Sequence, residues 1–110
     1  MEKEKWVMQL LEPGHYAHLF NMLHANINDI DIKVVVVGGA VLPAFAPGHL
    51  SEKIEEFAAK GVDFKFCINS MHLLGLDDKE PPIGTSVATD GGLQAISADR
   101  KAGYTYFVVA

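Results

Sequence analysis

Ile32-Lys33-Val34-Val35-Val36-Val37-Gly38-Gly39 is the run that decides the fold. Its residues are mostly β-branched, and apart from Lys33 they do not alternate with polar ones. A strand with one face in water alternates; an almost continuous apolar run suits a central strand buried on both faces. Gly38-Gly39 then terminates it. A strand of this kind needs helices above and below, so the flanking segments decide what the domain is.

Upstream, Trp6 to Leu11 has strand length and closes on the turn signal Glu12-Pro13-Gly14. Tyr16, Leu19, Phe20, Leu23, Ile27 and Ile30 follow at spacings of three and four, one stripe of a helix that ends at Asn28-Asp29. Downstream, residues 40 to 49 hold Pro43, Phe45 and Pro47 and read as an irregular loop. Ser51 is the expected N-cap of a helix through Lys60, with Ile54, Phe57 and Ala58 inward and a Glu56–Lys60 pair outward. Gly61 fits the position just past its end. Val62 to Ile68 reads as a strand, and Asn69 or Ser70 as the cap of a short helix reaching Leu74. After a polar loop from Asp77 to Gly84 come a strand over Thr85 to Thr89 and a helix capped by Asp90, with Leu93 and Ile96 inward. Gly103 lies past its end, and Tyr104 to Val109 is the last strand.

Strand and helix alternate throughout, without repeat or linker. That order predicts right-handed βαβ units and a single α/β domain over residues 1–110, a three-layer α/β/α sandwich with a mainly parallel five-stranded sheet.

Bulk properties bound the function. The 110 residues are 49% hydrophobic and 21% charged, a globular balance. A net charge of −5 with scattered Lys and Arg argues against a nucleic-acid partner. The first residues, MEKEKWVMQLL, lack the apolar stretch of a signal peptide, and no run has membrane-spanning length. The expectation is a cytoplasmic protein with no membrane partner. Its one cysteine, Cys67, has no partner in the chain for a disulfide and is either packing or reactive.

Ligands of parallel sheets gather outside the carboxyl ends of the strands. The expected loops there contain Cys67, four of the five histidines (His15, His18, His49 and His72) and Gly38-Gly39. With a helix starting near Asn69, free amides and the helix dipole favour a thiolate at Cys67. His72 or His15 fits a neutral polar neighbour of such a thiol. The histidines form no compact ligand motif, so no metal is expected. Gly38-Gly39 and Asp90-Gly91-Gly92 complete no phosphate-binding fingerprint; turn geometry explains them, and no cofactor is expected.

The run Gly61-Val62-Asp63-Phe64-Lys65-Phe66-Cys67-Ile68-Asn69-Ser70, with Leu74-Gly75-Leu76 after it, resembles the DsrE/DsrF-like family of small sulfur-relay proteins. The likeness extends to Leu50-Ser51-Glu52-Lys53-Ile54 and to Ala102-Gly103-Tyr104-Thr105-Tyr106. It implies a three-layer α/β domain that assembles into dimers, trimers or hexamers. It further implies that Cys67 carries sulfur as a persulfide between donor and acceptor proteins, with Asn69 and Ser70 shaping the helix start behind it. Gly38, Gly39 and His15 are further candidate binding positions. The relay members tend to have a basic residue before the glycine, where this chain has Leu74. The alternative is a homo-oligomeric binding or assembly protein in which Cys67 only packs, with Met22, Ala25, Val41, Leu42 and Phe45 as surplus apolar surface. Whether the protein is an enzyme stays open.

Overall fold

The computed structural model describes residues 2–110. Five parallel strands form one sheet in the order β4-β3-β2-β1-β5: β1 (Glu4–Leu10), β2 (Ile30–Val36), β3 (Asp63–Cys67), β4 (Ser86–Ala88) and β5 (Thr105–Val109). Five helices connect them: α1 (Tyr16–Asn26), α2 (Val41–Ala44), α3 (His49–Ala59), α4 (Ile68–Leu73) and α5 (Gly92–Lys101). The chain steps from β1 to β4 in one direction, then crosses back over the sheet through α5 to pair β5 with β1. The α/β sandwich with a parallel five-stranded sheet is therefore as expected from the sequence.

The two faces are unequal. Met8, Leu10, Ile32, Val34, Val36, Phe64 and Phe66 point to one side, where they pack with α1, α2, α3 and α4 through Leu19, Leu23, Val41, Ile54, Phe57 and Met71. Phe64 and Phe66 are wholly buried there, a transfer gain of about 1.5–3 kcal/mol per side chain. The other face carries a smaller cluster, Val7 and Val35 against Ile96 of α5. Strand alternation puts Lys33, Lys65 and Cys67 on this thinner side. Tertiary pairing also places Lys33 beside Asp99 of α5, 3.2 Å from its carboxylate. The charge that interrupts the valine run in the sequence is thus a partner for α5, the helix on its side.

Several local expectations are corrected. Ile30 opens β2 instead of closing the first helix, because α1 ends at Asn26 and a turn over 27–29 reverses the chain. Residues 40–49 are not wholly irregular: α2 lies there, and Val41 is core, not surface. Met22 and Phe45 likewise pack on the core, while Leu42 is exposed. Leu93 is 69% exposed, since only Ile96 of α5 reaches the small second core. Lys53, not Lys60, pairs with Glu56, at 3.6 Å, and Lys60 lies over the Phe57 ring.

Helix starts differ for one reason: glycine or cysteine takes the cap where a polar residue was expected. Gly48 precedes α3 and accepts the Ser51 hydroxyl, Gly91 precedes α5, and Cys67 itself precedes α4. Gly61 does end α3 as expected, at φ 104°, with Val62 N donating to Phe57 O at 3.1 Å.

Candidate functional site

Cys67 is the last residue of β3 and, with extended backbone angles (φ −64°, ψ 122°), the cap of α4. It is 7% exposed. Its sulfur lies under the first turn of α5, where Gly92 N donates to Sγ at 3.3 Å. That amide is one of the four at a helix start with no partner in the helix. No side chain caps α5; the thiol takes that place.

Such an approach requires glycine. A Cβ on Gly92 would lie 2.5 Å from Val37 Cγ1, 3.2 Å from Cys67 Cβ and 3.4 Å from Cys67 Sγ. Gly91, at φ 110°, turns the chain after Ala88 so that the Gly92 amide meets the sulfur. Asn69 reaches over this corner, its Nδ2 lying 3.4 Å from where a Cβ on Gly91 would be.

Burial pushes the Cys67 thiol pKa up. The Ser70 amide and hydroxyl and the Gly92 and Asn69 amides oppose it and prevail, so the thiol sits below its ordinary value. Of these donors, Gly92 N makes the hydrogen bond; those of α4 act as nearby dipoles, since Cys67 makes no side-chain capping bond. The Ser70 hydroxyl is held in place because it accepts from Gly38 N at 2.8 Å. Gly38 thereby ties the end of β2 to α4.

The structure thus brings together Cys67, Ser70, Asn69 and Gly38, and adds Gly92, which sequence reasoning had treated as turn geometry. The signal was present: a glycine pair between a strand and a helix lets two backbones approach closely. It does not bring His72 to the thiol. The His72 ring is exposed and its Nδ1 contacts the Asp77 carboxylate. His15 ends a 3-10 turn after β1, with Nδ1 buried and unpartnered, and Gly39 packs against Pro13 of that turn. Neither is in contact with the sulfur in the hydrogen-bonding pattern around Cys67. His18 is exposed and donates to the Ala110 carbonyl at 2.7 Å; His24 and His49 are exposed. Among the described residues, no three His, Cys, Asp or Glu side chains are grouped to hold a metal ion. Among them also, no helix is long and apolar enough to cross a membrane.

A parallel five-stranded sheet with a lone cysteine at the carboxyl end of β3 defines a small α/β protein with a thiol-centred strand end. The chain belongs to the DsrE/DsrF-like family, a family associated with sulfur relay, whose model matches residues 12–109. A protein of unknown function, MTH1491 from Methanobacterium thermoautotrophicum, superposes with a TM-score of 0.86 at 20% identity, covering 96% of this chain and 99% of its own. The ychN protein from E. coli superposes with a TM-score of 0.72 at 13% identity, covering 97% and 99%. At these identities the two structures speak to the fold. No curated protein sequence matches significantly.

Proposed function

We propose that the protein is a sulfur carrier that holds sulfane sulfur as a persulfide on Cys67, receiving it from a donor and passing it to an acceptor thiol. The observation that carries this reading is the Gly92 amide on Sγ at 3.3 Å, at a helix start that only glycine can bring so close. A pure packing cysteine has no need of a donor aimed at its sulfur. The lowered thiol pKa supports the same reading, since the thiolate is the nucleophile. Near-complete burial suits a persulfide, which must be kept from oxidants, and implies that a partner or a small opening motion exposes it during exchange. With one cysteine in the chain, the acceptor thiol belongs to another molecule.

The test is intact mass after exposure to inorganic polysulfide, with Cys67→Ser alongside. Wild type gains one sulfur, removable by reductant, and the mutant gains none. A native thiol that reacts no faster than the unfolded chain ends the proposal.

A second reading, self-association, has its own support. Leu73 is 89% and Ile83 80% exposed, and Leu93 and Val108 are exposed as well. Large apolar side chains in such number favour an assembly with copies of itself. Sedimentation velocity checks it: a monomer at micromolar concentration removes this reading and leaves the thiol chemistry untouched. Residence in the cytoplasm fits a thiol kept reduced.

A further inference from the structure

The face of the sheet under α5 is only partly covered. Ile96 packs on Val7 of β1 and Val35 of β2, while β5, at the sheet's edge, pairs with β1 alone. The β1–β5 margin is left open, and a cleft of about 530 Å³ lies between it and α5. Gln9 and Tyr106 line it from the strands; Leu93, Ile96, Ser97 and the cations Arg100 and Lys101 line it from the helix.

Gln9 is the deep polar group of this cleft, at 7% exposure. A glutamine so far buried is expected to satisfy both ends of its amide. Its Oε1 accepts from the Tyr106 hydroxyl, but Nε2 donates to nothing among the described residues. The side-chain atoms there that are both unpartnered and sealed from solvent are Trp6 Nε1, His15 Nδ1 and Asp99 Oδ2. Gln9 Nε2 is not one of them, so its N–H opens on the cleft that Gln9 lines. It is a donor held in place for an acceptor that the chain itself does not supply.

The charge on the same cleft is positive, in a chain whose net charge is −5. Arg100 and Lys101 make no ion pair among the described residues. The helix dipole accounts for two cations in the last turn of α5. It does not account for where the Arg100 guanidinium goes, 5.9 Å from the centre of the Tyr106 ring. Tyr106 therefore has the Gln9 amide at its hydroxyl and Arg100 over its ring, and two sets of N–H donors border one aromatic wall. The rest of the wall, Ile96 and the exposed Leu93, is apolar. An apolar concavity with a few polar groups is the usual form of a small-molecule site.

We propose that this cleft binds a small apolar carboxylate. The carboxylate accepts from the Arg100 guanidinium and from Gln9 Nε2, and the apolar body lies on Leu93, Ile96 and Tyr106. Lys101 adds positive charge at the same side. A second copy of the chain could cover Leu93, but a flat protein surface does not reach an amide as deep as that of Gln9, so a small ligand is the occupant favoured. The site is independent of the carrier reading, because Cys67 does not line it.

The experiment is a titration of the nitrogen-15-labelled full chain with 2-naphthoate, followed by amide chemical shifts. Saturable shifts at Gln9, Leu93, Ser97, Arg100 and Tyr106 are expected. Arg100→Gln combined with Lys101→Gln weakens binding by at least about tenfold, and 2-naphthamide, which has the same body without the charge, binds wild type more weakly by a similar factor. Gln9→Met, made in Tyr106→Phe so that no hydroxyl is freed, weakens binding relative to Tyr106→Phe alone; if that protein does not fold, the two exposed cations and the neutral ligand decide. Absent saturation, shifts confined to the groove of Lys65 and Asp90 across α5, equal binding of 2-naphthamide, or indifference to the loss of both cations overturns the proposal. Shifts of the same amides on dilution of the free protein place a second copy in the cleft and overturn it as well.

Discussion

Gly92→Ala separates the claimed geometry from ordinary helix behaviour by its sign. Gly92 does not occupy the left-handed region, so alanine is conformationally allowed there. Propensity alone predicts that the change stabilises α5 by as much as about 1 kcal/mol. The structure predicts the opposite. The new methyl would stand 2.5 Å from Val37 Cγ1, with Cys67 Cβ and Sγ at 3.2 and 3.4 Å. Val37 is β-branched and stiff, so the helix must move instead. Overpacking of this kind costs up to about 3 kcal/mol, which leaves a net loss of up to about 2 kcal/mol. The displaced Gly92 amide also leaves the sulfur, so the thiol pKa rises. Urea unfolding measures the first effect and the pH dependence of iodoacetamide alkylation the second. Val37→Ala combined with Gly92→Ala removes the closest clash, and at least half of the lost stability should return. A Gly92→Ala protein as stable as wild type, with an unchanged alkylation profile, refutes the packing of α5 on Cys67.

Ser70→Ala deprives Gly38 N of its acceptor at 2.8 Å and should cost about 1–2 kcal/mol in urea unfolding; the Cys67 alkylation pKa rises with it. Because the folded thiol pKa is depressed, its stabilisation is present in full above the unfolded thiol value of about 8.5 and is lost as pH falls through the folded value. The stability gap between wild type and Cys67→Ser should therefore widen as pH rises through that window, and a flat gap would remove the depressed pKa. His72→Ala should leave the alkylation profile unchanged, since the ring contacts Asp77; a shifted profile would bring the histidine back to the site. Tyr16→Phe removes the hydroxyl that donates to Ala40 O at 2.5 Å and should lower stability by about 1 kcal/mol, with no change in thiol reactivity.

Much of the architecture was readable because it follows from local periodicity. The valine run, the stripe from Tyr16 to Leu23 and the glycine after α3 each carry their own signal, and each lies where the pattern put it. Boundaries failed where caps were assigned by residue type. Ser51, Asn69 and Asp90 have good capping side chains, yet Gly48, Cys67 and Gly91 take the positions. Leu93 was misread because periodicity marks an apolar face without saying how much sheet lies beneath it. At the site, Cys67 and Ser70 were found from their place at a strand end. Gly92 was overlooked, because the meaning of a missing side chain depends on what approaches it.

Local patterns along the chain were enough to show that strands and helices alternate, that the central strand is buried on both faces, and that the one thiol stands at a carboxyl edge. These are properties of neighbours along the chain, set by the periods of helix and strand. That α5 returns over the sheet to lay its first amide on that thiol is visible in the folded chain alone. So are the turn of His72 to Asp77 and the meeting of Asp99 and Lys65 along one groove. Such pairings join residues 25 or more positions apart, or turn a side chain away from the neighbour its position suggested. They are fixed by the crossing of whole elements, which no local pattern encodes.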